Sequence, residues 1–178
     1  MISQLILVIS LISFVQPDYC NGHDSLIDGQ CFIVVGREHR LDFYEAQRFC
    51  QLNLTTWSNL AVPISDMQTN YITKWAQTEF GNSGNFWLGI YRQGSGKNFI
   101  PIVGPPYLTY GNCDTCNPSM NYVVARLSNG KWDTRPSETR LNFVCSYPAR
   151  KNYTEALTRN VPKLTWLEDS AKRLNKPN

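Results

Sequence analysis

The residues of this chain best able to do chemistry are six cysteines, two histidines and a group of amides and carboxylates between positions 112 and 133. Cys113-Asp114-Thr115-Cys116 has the C-x-x-C spacing that serves thiol–disulfide exchange when a helix N-terminus lowers a thiol pKa. Here it follows Tyr110-Gly111 and precedes Asn117-Pro118, which are turn formers, so no helix dipole stands behind either thiol. The C-x-x-C therefore reads as structural, not as a redox centre. His23 and His39 fall in loop-like sequence, and His39 between Glu38 and Arg40 reads as a solvated turn residue. Neither G-x-S-x-G nor H-E-x-x-H occurs, and no carboxylate spacing suggests a hydrolytic pair. These residues give no support to an enzyme.

The elements that carry them belong to one ordinary domain. The chain has 178 residues, 42% hydrophobic and 17% charged, a globular balance. A formal net charge of +3 is too small to argue for nucleic acid. Residues 5–15, LILVISLISFV, are nearly all apolar but too few to span a bilayer. They fit the apolar core of a signal peptide over residues 1–17. No second long apolar run follows, so the mature chain is expected to be secreted, extracellular and without a transmembrane anchor. An even number of cysteines after such a leader reads as a disulfide framework, although the count alone fixes no pairing. Asn53 and Asn152 open N-x-[ST] sequons and are candidate glycosylation sites.

Cys20 and Cys31 bracket a polar stretch that reads as a bridged hairpin. Asp42 with Glu45 forms a capping-box pattern ahead of a helix over 43–52, with Phe43, Ala46 and Cys50 facing the core. Ser65 with Gln68 repeats the pattern before a second helix ended by Gly81 and Gly84. Met67, Tyr71 and Trp75 recur there at helical spacing, with Ile72 and Ala76 beside them, and the stripe is read as core packing. Strands follow over 86–91, 121–126 and 140–147, with a hairpin signal at Asn129-Gly130. Residues 107–121 form a long polar loop. Helices first and short strands after give an α+β class.

Taken together, these segments resemble the C-type lectin-like domain family from about Cys20 to Pro148. FWLGIY (86–91) is similar to the family's core strand. Gly130-Lys131-Trp132 is similar to its G-x-W-N-D element, Phe43/Ala46/Cys50 to its first helix, and Phe143-Val144-Cys145 to its last strand. The resemblance implies two helices packed on two small antiparallel sheets with a long irregular loop region, stabilised by disulfides. The domain then occupies 18–149, ahead of a basic C-terminal tail at 150–178. It also implies a Cys50–Cys145 bridge, a Cys20–Cys31 bridge as in long-form members, and a family inner bridge whose cysteines would fall near Tyr122 and Ser137. Neither of those positions is cysteine, and Cys113 and Cys116 are left to pair with each other.

Sugar-binding members carry Glu-Pro-Asn or Gln-Pro-Asp, usually with a cis proline, where this chain has Asn117-Pro118-Ser119. There the side-chain oxygens ligate Ca²⁺ and bond sugar hydroxyls. Ca²⁺ wants six to eight hard oxygens, several of them carboxylate. Met120 stands where a further Glu is expected, and Trp132-Asp133-Thr134 replaces Trp-Asn-Asp, so Asp133 is the carboxylate retained and Asp114 a neighbour. The resemblance therefore implies a degraded metal site, no resident cofactor, and a carbohydrate site at Asn117, Ser119, Asn121 and Asp133. Tyr107, Tyr110 and Asn112 share the loop and offer ring faces and amides. The expected partner is a glycan; a protein-binding or structural module with an extracellular protein ligand is the alternative.

Overall fold

Asp42 starts the first helix by reciprocal capping: its carboxylate accepts the Glu45 amide at 2.8 Å, and the Glu45 carboxylate accepts the Asp42 amide at 3.3 Å. The computed structural model describes residues 18–150 except His23, Thr56 and 94–97. The expected leader (1–17), His23, Asn152 and all of the tail beyond Arg150 lie outside the described residues. Tyr19–Arg150 form one compact unit. In chain order its elements are β1 (Ser25–Ile27), β2 (Gln30–Val34), α1 (Phe43–Asn53), β3 (Asn59–Leu60) and α2 (Asp66–Phe80). Then follow β4 (Asn85–Arg92), β5 (Phe99–Pro101), β6 (Tyr122–Arg126), β7 (Trp132–Arg135) and β8 (Asn142–Pro148).

The strands run β1-β2-β8-β4-β6-β7, with β3 also on β8 and β5 also on β4. Every pairing is antiparallel except β4 with β8, and that parallel step joins the two antiparallel groups. Side chains of β4 alternate between two cores, as strand geometry requires. Phe86, Leu88 and Ile90 enter one with Phe32, Ile72 and Trp132; Trp87 enters the other with Phe43, Cys50, Phe143 and Cys145. Gly89 sits where only glycine fits, because an added Cβ would lie 2.4 Å from the Leu60 carbonyl oxygen.

Three disulfides are present. Cys50–Cys145 closes 95 residues and fastens α1 to β8, with Cα atoms 5.7 Å apart. Cys20–Cys31 ties the first hairpin and Cys113–Cys116 closes a tight loop. At the expected inner-bridge positions, Tyr122 packs its ring 4.5 Å from that of Phe43, and the Ser137 carbonyl accepts the Phe43 amide.

On α2 the outcome differs from the periodicity reading. Its buried face is Gln68, Thr69, Ile72, Thr73 and Ala76, whereas Met67 and Tyr71 are exposed and Trp75 is half-buried. Polar Gln68 is inside because the backbone satisfies its amide: Oε1 accepts the Ile64 N–H at 2.8 Å and Nε2 donates to the Ile27 carbonyl at 3.4 Å. The threonines are inside because Thr73 returns its hydroxyl to the Thr69 carbonyl at 2.7 Å and Thr69 meets Tyr110. Ile72 and Ala76, at the edge of the expected stripe, are fully buried, so the sheet covers that edge and not the Met67 and Tyr71 side.

Candidate functional site

The loop between β5 and β6 leaves the sheet at Ile102 and returns at Asn121, and it is fastened to the rest of the unit at three points. Arg92, at the end of β4, is buried and stacks on Phe99, with its guanidinium carbon 5.1 Å from the ring centroid. Its Nη2 donates to the carbonyls of Asn117 and Met120, each at 2.7 Å. Tyr110 sets its ring edge-on to Trp132 at 5.5 Å, and its hydroxyl donates to Asp66 Oδ1 at 2.9 Å. Burial raises the Tyr110 pKa, with the neighbouring Asp66 carboxylate adding to the rise. Asn112 is buried, donates to the Gly130 carbonyl and accepts from Lys131 Nζ at 2.7 Å. Tyr110 and Asn112 are thus engaged inside the molecule, while Tyr107 is 61% exposed.

The four residues expected at the sugar site lie along this same stretch. Asn117 Oδ1 accepts the Ser119 amide at 2.9 Å and its carbonyl accepts the Thr134 hydroxyl at 3.1 Å, so the tripeptide is a closed turn. The Asn117–Pro118 peptide is trans, where the family pattern pointed to cis. The Asn121 carbonyl accepts the Arg92 amide at 2.7 Å. Asp133 is only 8% exposed; its Oδ2 takes Arg135 Nη1 at 2.8 Å and lies 3.9 Å from Arg126 Nε, while Oδ1 accepts the Thr134 amide. Arg126 also holds Asp114 Oδ2 at 2.9 Å and bonds the Thr115 hydroxyl.

This donor set does not fit Ca²⁺. A calcium site needs several free carboxylate oxygens, and here both local carboxylates already face guanidinium groups. Bringing a divalent cation in would place it against Arg126 and Arg135 or require those pairs to break. Among the described residues no cluster of three or more His, Cys, Asp or Glu side chains is arranged to hold a metal.

A second feature was not legible in the sequence. A groove of about 640 Å³ runs between the loop carrying Val103 and Tyr107 and the segment joining α1 to β3. Trp57, from that joining segment, is 78% exposed beside it. A lone Trp between Thr and Ser carries no motif, and its role depends on a loop fifty residues away in sequence folding opposite it.

Comparison with known proteins agrees with the architecture. A family model described as Lectin C-type domain matches residues 39–147. Mouse tetranectin is 23% identical over 113 residues, which is 59% of this chain and 54% of tetranectin, so the chain spans about half the length of the curated relative it matches. Among solved structures, the C-type lectin CEL-I from Cucumaria echinata superposes with a TM-score of 0.63 at 16% identity, covering 74% of this chain and 99% of that one. Human lithostathine gives 0.62 at 20% identity, covering 72% and 99%. A calcium-independent type II antifreeze protein gives 0.64 at 17% identity, covering 76% and 98%. At such identities these likenesses speak for the fold alone.

Proposed function

Since this chain belongs to the C-type lectin domain family, we propose that it is a secreted, non-catalytic recognition module that binds glycans through its long-loop face without using Ca²⁺. The observation that carries this reading is the occupation of Asp114 and Asp133 by Arg126 and Arg135. An internal cation does what a bound metal would otherwise do: it neutralises the carboxylates and sets the loop. Asn117, Ser119 and Asn121 supply polar edges on that face, and Asp133 is held by Arg135 and Arg126. Residues 1–17 act as the export signal for a domain spanning 18–149, and Asn53 and Asn152 are its glycan acceptors. No helix among the described residues is long and apolar enough to cross a membrane.

A glycan array read with calcium and with EGTA tests the reading. Equal binding in both conditions is expected. Binding abolished by chelator would sink the calcium-independent part, and binding to no glycan would sink the ligand class. The second reading, protein contact, is favoured by one observation: Leu26, Ile64, Met67 and Tyr71 are all exposed.

A further inference from the structure

Resting on the glycan reading, we infer that the sugar seat is the groove between Trp57 and Tyr107, and that it takes a neutral saccharide. Its volume of about 640 Å³ suits a small ligand or one or two sugar units of a longer one. Trp57 and Tyr107 line it from two different segments, and aromatic rings are the side chains that suit the apolar face of a pyranose. The lining also includes Gln30, Thr109 and Ser146, whose side chains carry amide and hydroxyl groups of the kind that bond sugar hydroxyls.

Three observations favour this occupant. The first is charge: among the described residues the lining holds no Asp, Glu, Lys, Arg or His. A sulfate or a sialic acid carboxylate would lose water there and gain no counter-charge, whereas a neutral sugar gives up nothing of that kind. The second is exposure: Trp57 and Tyr107 are 78% and 61% exposed, so both rings are open to a ligand.

The third is backbone geometry. Trp57 adopts φ +76°, a region a bulky side chain rarely enters and which raises the energy of the chain. It is held there by a relay of amides: Asn59 Nδ2 donates to the Trp57 carbonyl at 3.0 Å, and Gln47 and Gln51 donate to Asn59 Oδ1 at 2.7 and 3.2 Å. The relay holds the backbone at Trp57 through its carbonyl, and the indole stands 78% in solvent, where a pyranose face can stack on it.

The test is an array of neutral, sialylated and sulfated glycans probed with the wild type, Trp57→Ala, Trp57→Phe, Tyr107→Ala and the exposed control Leu52→Ala, each checked for folding by thermal melting. Neutral glycans are expected to bind. Trp57→Ala and Tyr107→Ala should each lose about tenfold, the scale of one removed ring contact. Trp57→Phe should retain part of the affinity, which keeps the test open if Trp57→Ala fails to fold, and Leu52→Ala should match the wild type. Unchanged binding in both ring variants overturns the seat; if Asn121→Ala then abolishes binding, the glycan reading survives without it. Binding confined to charged glycans also overturns the seat. A wild type that binds no glycan, or that takes only apolar peptides in this groove, overturns both.

Discussion

The hydroxyls of Tyr44 and Tyr122 meet in a short hydrogen bond, with their rings edge-to-face at 5.6 Å. Tyr44 comes from α1 and Tyr122 opens β6, so the contact joins helix to sheet beside the Phe43–Trp87 pair. Tyr122 has its pKa raised from 10 to about 12, first because a neutral hydroxyl keeps the bond to Tyr44, then through burial. A folded pKa above the unfolded value favours the protonated native state. The stabilisation from Tyr122 is therefore complete below pH 10 and is lost as pH rises toward about 12. Phenolate absorbance should show this late-titrating tyrosine. Tyr44→Phe should move its titration down toward the ordinary value and flatten the alkaline loss of stability.

Removing the bridge between α1 and β8 should be severe. A loop of 95 residues corresponds to about 4.5 kcal/mol of closure entropy. Ordinary domains have only about 5–15 kcal/mol in hand. Cys50→Ser with Cys145→Ser should lower the denaturation midpoint steeply or leave the chain unfolded at 37 °C, as read by circular dichroism in urea. A midpoint unchanged from the wild type would remove the bridge from the account of stability.

Gly89→Ala should destabilise by about 1–3 kcal/mol, the usual range for overpacking. The new methyl meets the Leu60 carbonyl oxygen at 2.4 Å and Ile102 Cδ1 at 2.7 Å. The carbonyl is backbone and cannot rotate away, so β3 and β4 must part. Chemical denaturation of the variant against Gly111→Ala, where nothing lies within 4 Å and φ is not positive, separates crowding from loss of glycine alone.

Calcium should not change the melting temperature of the wild type, and EGTA should not lower it. Arg126→Ala should lower it, because Asp114 loses its 2.9 Å partner and Asp133 loses one of two guanidinium neighbours. Breaking a partly buried, hydrogen-bonded charge pair from one side costs about 1–3 kcal/mol. A calcium-induced rise in the wild type, measured by differential scanning fluorimetry, would show that the arginines yield to the metal.

Much of the fold was legible because its signals are local or covalent. Asp42 and Glu45 mark the start of α1 three residues apart, and Phe43, Ala46 and Cys50 show its buried face. The strand 86–91 and the turn at Gly130, which takes φ +71°, were legible for the same reason. The faces of α2 were not, because burying Gln68 depends on carbonyls and amides of β1 and the segment before the helix. Nor was the approach of Arg126 to Asp133, which needs the β6–β7 register of Val124 against Asp133, whereas Arg135 lies two residues along the same strand. The exposed ring of Trp57 was silent, since an aromatic in sequence reads equally as core or as surface.

Tyr19 and Arg150 exchange two backbone hydrogen bonds, at 3.2 and 3.0 Å, so the first and last residues of the compact unit are neighbours. A unit whose ends touch is topologically a closed ring with one seam. It can be grafted into a surface turn of a host protein, or cut open elsewhere and rejoined at that seam, without stretching any strand. Evolution and protein engineers alike can therefore treat this module as portable, moving it between chains as a sealed cassette.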